Sequence, residues 1–444
     1  QVRSSRALRG PMDSASRTLD VPEALRFVAV AAGPMSPNPP PIRPASAEME
    51  LLCACASPGY SAKVPDVFRG GAAVDWSRFM ALATNHHVLP LVQRALKVMP
   101  VSVPDEWRTR LRICQTAIAA HNLRACATLR RLQEKLEVDG IRLVPIKGPA
   151  LAWLAYGDVA LRQFEDLDLI VRRSDLLRAV AALEHEGFRL RELAAGVDRV
   201  RYLETLQNWS LEKPGFPPLD LKPVLISHAL CGPASADFME AACRRLPADS
   251  SGLWAPGPAA MLLAVCLDGA NEMWFKLSAV ADVGALLAQC ADLDWARLLD
   301  EAQRQGQRRS LLVGACLAEE LLGADLPAAF RAAAADDPTA RRLARSVAAR
   351  LRTEAPRQDI VLRQTVFALR TRERLRDRWR FIRRLLCVPG AYEFTRWPWP
   401  RLQPFYALVR PLRLAWTVAV RGGRSIRLTV PAADAKLGPG GNNP

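Results

Sequence analysis

The chain has no Cys-x-x-Cys pair and no histidine spacing suited to a metal. Its ten cysteines are scattered, and the closest two, Cys53 and Cys55, lack ligand-like neighbours. That excludes the common structural zinc patterns and favours reduced, buried thiols. His86-His87, His121, His185 and His228 form no His-x-x-x-His set. No run approaches the roughly 18 uninterrupted apolar residues of a bilayer-spanning helix. Phe27 to Gly33 is too short and too poorly flanked for a secretory leader. The expected location is therefore the cytoplasm, with the inner membrane surface as a peripheral alternative. There is no repeat of fixed period, which argues against solenoids and propellers. Lysine is scarce beside arginine, so the few lysines, among them Lys147, Lys222 and Lys276, stand out.

What is present is a 444-residue chain with 50% hydrophobic residues, enough for two or three cooperating units and a sizeable core. The net charge of +16 and pI near 9.9 would ordinarily point to a polyanion. The Ala/Arg/Leu/Pro bias offers a compositional reason for that charge, so nucleic acid stays open as a partner without being the favoured one.

Residues 1–48, with Pro37 and Pro39-Pro40-Pro41, read as a disordered extension, and ordered structure is expected to begin near Met49. A helical lead-in follows over 49–136, including a long amphipathic stretch from Trp107 to Leu136. Over 137–228 the pattern turns mixed. Strands are expected at Ile141 to Ile146, Asp166 to Val171, Phe188 to Leu193, Leu206 to Glu212 and Leu219 to Ile226. Helices are expected at Gly148 to Tyr156 and Asp175 to Glu186. Residues 229–330 return to helical periodicity through Met261 to Ala270, Leu277 to Ala288, Asp294 to Arg304 and Leu311 to Leu322. A basic helical region spans 331–421, within an Ala/Arg-rich helical stretch from Ala328 to Arg384 and a proline-broken segment from Val388 to Pro411. Residues 422–444 read as a flexible tail. The fold class is α+β: a small mixed sheet with flanking helices, embedded in a mostly helical chain.

The chemistry-bearing signal is an apolar run closed by Lys147-Gly148 and a second opened by Asp166-Leu167-Asp168. Side chains alternate along a strand, so Asp166 and Asp168 share a face, roughly 6.6 Å apart, while Leu167, Leu169 and Val171 face a core. Two carboxylates on one face repel, and a divalent cation carrying nucleotide phosphates is the compensation with the most chemical purpose. In Leu219-Asp220-Leu221-Lys222 the same alternation puts Asp220 on a cleft face that can lie beside the pair. The Gly148 turn leads into a helix whose N-terminus favours a phosphate, with Pro149 in its first turn and Lys147 as a compact positive charge. Arg162 is a candidate for a phosphate or for an ion pair.

The run Ile146-Lys147-Gly148-Pro149-Ala150-Leu151, with Tyr156, Arg162 and Asp166-Leu167-Asp168-Leu169-Ile170-Val171, resembles the uncharacterised bacterial nucleotidyltransferase family within the DNA polymerase beta-like superfamily. The resemblance extends from about Met49 to Pro411. It implies a minimal nucleotidyltransferase sheet, Mg2+ (or Mn2+) held by Asp166, Asp168 and Asp220 as catalytic residues, and transfer of a nucleoside monophosphate from an NTP such as ATP to an unidentified acceptor. The chain departs from that pattern at three places. Lys147-Gly148-Pro149 stands where the superfamily carries Gly-Ser, Lys222 where the family usually has a His, and Asp268 where a later His is frequent.

Lys147, Gly148, Arg162 and Lys222 are the candidate nucleotide-binding residues, and Asp268, Trp274 and Lys276 the candidate substrate-lining ones. The basic stretch Arg372 to Arg384, interleaved with Trp379, Phe381, Leu385 and Leu386, offers a docking face for anionic lipid or an acidic protein. The leading reading is a magnesium-dependent nucleotidyltransferase acting on a hydroxyl-bearing acceptor. A second is a catalytically silent nucleotide-binding or assembly protein with a basic docking region. A third, a sugar-nucleotide glycosyltransferase, also uses Asp-x-Asp, but the chain ahead of Asp166 is helical where a nucleotide-binding β/α half is expected.

Overall fold

The computed structural model describes residues 46–60, 74–191, 209–223, 242–246, 252–353, 360–387 and 412. The expectations for residues 1–45, for Val388 to Pro411 and for the tail lie outside the described residues, as do the far ends of three expected strands. Helix α1 (Ala47–Ala56) starts where Ser46 accepts a hydrogen bond from the Met49 amide at 3.2 Å. Asp75 caps α2 (Trp76–Asn85) in the same way, and α3 (Leu89–Ala95) carries Pro90 in its first turn. The 34-residue α4 (Asp105–Val138), about 50 Å long, packs against α3.

Five short strands follow: β1 (Val144–Pro145), β2 (Leu167–Ile170), β3 (Arg189–Leu190), β4 (Trp209–Glu212) and β5 (Leu219–Lys222), arranged β1-β2-β5-β4-β3. β2 and β5 are parallel and the other pairings antiparallel, a mixed sheet in an α+β chain. α5 (Gly148–Tyr156) and α6 (Leu176–His185) connect them. Leu167, Leu169, Leu211, Leu219, Leu221 and Trp209 are fully buried, the apolar half of the alternation. β1 is shorter than the expected Ile141–Ile146. The backbone of its first residues is served instead by α4, where the Gln133 amide donates to the carbonyls of Leu143 at 2.7 Å and Trp254 at 2.9 Å.

A hairpin of β6 (Cys243–Arg245) and β7 (Trp254–Pro256) lies beside β1. It is absent from the sequence reading because three-residue strands carry no measurable alternation. The remaining helices among the described residues are α7 (Pro258–Asn271), α8 (Leu277–Gln289), α9 (Trp295–Gln305), α10 (Arg308–Leu322), α11 (Ala328–Ala335), α12 (Pro338–Arg352), α13 (Ile360–Thr371) and α14 (Leu375–Cys387). The described residues of the Ala328 to Arg384 stretch thus form four helices. Asp337 and Pro338 make one of the breaks, with the Asp337 carboxylate accepting from the amides of Thr339 and Ala340. α10 packs against α7, α8 and α12, and α8 against α5. Buried side chains from Met49 to Phe367 form one contiguous core.

Candidate active site

Parallel pairing of β2 with β5 sets Asp168 directly opposite Asp220. Both side chains lie on the face away from Leu167, Leu169, Leu219 and Leu221, and Asp166 precedes Asp168 on the same face. On the third strand the register places Ser210 opposite Asp220, and its hydroxyl donates to Asp220 Oδ1. Ser210 was not singled out in the sequence, although the alternation Trp209-Ser210-Leu211-Glu212 marks it as facing away from the core.

Two lysines converge on Asp168. Lys222, two residues after Asp220 on the same face, donates from Nζ to Asp168 Oδ1, and Lys147 Nζ lies 3.3 Å from Oδ2. Lys147 also pairs with Asp268 on α7, so Lys222, Asp168, Lys147 and Asp268 form an alternating row of charge. Burial disfavours ionised Asp168, but the two ammonium groups outweigh it and hold its carboxyl below the usual range. The same partners hold Lys147 and Lys222 charged despite their own burial. Asp166 behaves oppositely. Desolvation by its surroundings and the charges of Asp168 and Asp220 push it up to about 6, although the residue as a whole is exposed.

Lys147 sits at the head of α5, whose first residue, Gly148, has φ +56. A Cβ there would meet Leu167 at 3.4 Å, so glycine serves both the left-handed backbone and the close passage of β2. Glu272, one turn after Asp268, completes the acidic rim. The charge of Asp268 and then burial raise its pKa, with Lys147 and Lys276 opposing.

Three candidates are placed elsewhere. Of its two expected roles Arg162 takes the ion pair and not the phosphate, and its partner is Asp282 in place of Glu165 or Asp166. The Arg162 side chain is buried against Asp282, which also accepts from the Tyr156 hydroxyl at 2.9 Å. Trp274 is 0% exposed and cannot line a substrate surface. Its ring fills a slot against Gly269, Gly314 and Cys266. Lys276 turns toward His87, with Nζ 3.2 Å from Nε2. His87 carried no signal beyond its neighbour His86. It has φ +56, and burial, then the charges of Lys276 and Arg162, bring its pKa down to about 3.

A hard divalent cation asks for several carboxylate oxygens. The donor set fits, since Asp166, Asp168 and Asp220 share one face and crowd Asp166. The set is not gathered in advance, however: among the described residues no three His, Cys, Asp or Glu side chains form a metal-holding group. Lys147 and Lys222 lie against Asp168, and Ser210 donates to Asp220.

A model of the family described as uncharacterised nucleotidyltransferase matches residues 72–323, more than half of the chain. The chain belongs to that family. No curated protein and no solved structure matches it. This nucleotidyltransferase thus carries its Lys-Gly turn and its three aspartates inside the matched segment, and the row of charge lies there too.

The basic C-terminal stretch of the nucleotidyltransferase is less accessible than its sequence suggests. Arg372 is buried, donating to the Ala368 carbonyl and lying 4.0 Å over the Phe381 ring. Arg374 caps α9 through the Arg304 carbonyl, and Arg378 bonds the Arg372 carbonyl. Arg376, Trp379, Arg380 and Arg383 of α14, with Leu375, face outward. Among the described residues no helix is long and apolar enough to cross a membrane.

Proposed function

We propose that the chain moves a nucleoside monophosphate from an NTP to a hydroxyl-bearing acceptor, with Mg2+ or Mn2+ as cofactor. The observation that carries this reading is the in-register pair Asp168 and Asp220, sharing a face with Asp166 beside the Lys147-Gly148 helix start. Asp166 and Asp220 would hold the cation, beside Asp168, which is held by its two lysines. A bound divalent ion neutralises the triphosphate and lowers the pKa of an attacking hydroxyl. Lys147 and the first turn of α5 would hold the phosphates, and Lys222 would offer a second cation to them. Asp268 keeps Lys147 ionised and fixes its position.

The test is incubation of the full chain with each α-labelled NTP, Mg2+ and a panel of sugar, nucleoside and protein hydroxyl acceptors. Asp220→Asn is expected to lower transfer at least 100-fold with an unchanged thermal melt. Equal transfer by parent and variant removes the mechanism.

One observation favours a second reading, nucleotide binding without transfer: both oxygens of Asp168 already face lysines. Calorimetry with ATP, CTP, GTP and UTP, followed by the turnover assay, separates the two. The outward face of α14 supports an anionic lipid surface as a peripheral partner, since guanidinium groups flank an exposed Trp there.

A further inference from the structure

Two ammonium groups from different elements meet on one carboxylate. Lys222 of β5 donates from Nζ to Asp168 Oδ1, and Lys147, directly ahead of α5, places Nζ 3.3 Å from Oδ2. Both oxygens of Asp168 are thus engaged by cations. The depths differ: the Asp168 side chain is 7% exposed, those of Lys147 and Lys222 20% and 18%, so the lysines are the part of the group that solvent reaches. An ammonium carries three N–H donors and no acceptor. Among the described residues Lys147 meets two carboxylates, Asp168 and Asp268, and Lys222 meets one, which leaves donors on both for a further anion. Burial and then Lys147 work against the ionised form of Lys222, and Asp168 with Asp268 outweighs them.

We propose that Lys147 and Lys222 form a seat for a phosphate group that works without a divalent ion, and that Asp168 is the internal counter-ion of this seat in place of a metal ligand. The choice of anion, a triphosphate, rests on the nucleotidyl-transfer reading, but occupancy of the seat is measurable without turnover. Asp168 keeps the two ammonium groups charged and together, and an arriving phosphate shares them with it. This role has a signed consequence. Removing the charge of Asp168 while keeping its shape leaves two cations that a phosphate neutralises, and Asp268, which also favours both charged lysines, keeps them ionised. Anion binding then tightens, whereas loss of a metal ligand would weaken nucleotide binding and only when the metal is present.

The experiment is calorimetric titration of the full chain with inorganic triphosphate at pH 7 in excess EDTA, at a physiological salt concentration that screens the surface arginines. The parent is expected to take up triphosphate saturably. Lys147→Met and Lys222→Met are each expected to weaken that binding at least tenfold, since each removes a charged donor. Either change leaves Asp168 the other lysine as counter-charge, and if thermal melts show that one variant does not fold, the other carries the comparison. Asp168→Asn is expected to bind at least threefold more tightly than the parent. No binding by the parent in EDTA, undiminished binding by a folded lysine variant, or equal or weaker binding by folded Asp168→Asn overturns the proposal. If that happens while labelled transfer is seen with Mg2+, the nucleotidyl-transfer reading survives and the metal-free seat alone falls. If triphosphate binds as expected and no NTP is transferred to any acceptor, the seat stands and the transfer reading falls.

Discussion

Arg162 donates through Nε to both carboxylate oxygens of Asp282, at 3.2 and 3.0 Å. The pair joins the loop before β2 to α8, and Asn122 of α4 ties down the same loop by donating to the carbonyls of Val159 and Arg162. Burial raises the pKa of Asp282, and Arg162 opposes that rise. Asp282→Asn leaves a buried guanidinium without its counter-charge and is expected to cost about 3 kcal/mol. Tyr156→Phe, which removes one hydrogen bond, should cost about 1 kcal/mol. The double change Arg162→Met with Asp282→Leu should be less damaging than Asp282→Asn alone. Urea denaturation of the set checks this, and a double variant that is worse than the single would contradict a structural role for the pair.

Trp274 depends on the absence of two side chains. A Cβ on Gly269 would come within 2.6 Å of its ring, and one on Gly314 within 2.5 Å of Cys266 Sγ and 2.8 Å of the ring. The slot holds a strained turn, with φ +53 at Met273 and +55 at Trp274, whose Trp274 carbonyl accepts from Arg350 at 3.3 Å. Gly269→Ala and Gly314→Ala are each expected to cost about 1–3 kcal/mol by overpacking. Glu272 of the acidic rim lies directly before the same turn, so nucleotide affinity measured by calorimetry should fall in both variants while Asp168 and Asp220 remain in register.

Much of this was legible in the chain itself. Alternation around Asp166, Asp168 and Asp220 fixed their common face, because a strand with one buried side tolerates no slip of register. The helices expected over Gly148 to Tyr156 and Asp294 to Arg304 match α5 and α9 to within a residue at each end. Tertiary choices were not legible. Nothing local tells Arg162 to pair with Asp282, 120 residues away, in preference to a phosphate. The slot that buries Trp274 is made by Gly269 and Gly314, and a glycine advertises space without saying what fills it. Lys222 was placed on the correct face, but its grip on Asp168 depends on the parallel pairing of β2 and β5, which the sequence does not state.

His87 gives the fold a dependence on pH whose sign follows from its neutral state. Its folded pKa, about 3, lies below the ordinary value of 6.5, because burial and then Lys276, Arg162 and His86 disfavour the imidazolium. Between those values the unfolded chain binds the extra proton, so stability is full above about pH 6.5 and erodes as pH falls toward 3. At pH 5 the loss from this group is about 2 kcal/mol. Asp166 acts in the opposite direction: its raised pKa makes the folded state the better proton binder between about 4 and 6. His87→Asn retains a residue that tolerates φ +56 and lacks the titrating ring. Its urea midpoint should therefore fall less than the parent's between pH 7 and pH 5, and equal losses in the two proteins would show that His87 is not the source.

The outward face of α14 separates surface charge from fold. Arg376 and Arg380 are about half exposed or more, 63% and 54% by side chain, and both border Asp377. Trp379 is 65% exposed and Leu375 77%. Exposed ion pairs of this kind contribute little to stability. Arg376→Glu with Arg380→Glu is therefore expected to leave the thermal melt unchanged while removing attraction to an anionic surface, where each basic residue is worth roughly 1 kcal/mol. Two reversals replace attraction with repulsion at two positions, so co-sedimentation with vesicles containing phosphatidylserine should drop at least tenfold, and salt should weaken the parent's binding in the same assay. Binding that is equal in parent and variant, or indifferent to salt, would remove the membrane role for this helix. Arg372→Ala is the contrasting control. Its guanidinium is buried over Phe381, so that change should lower stability and leave vesicle binding by the folded fraction intact.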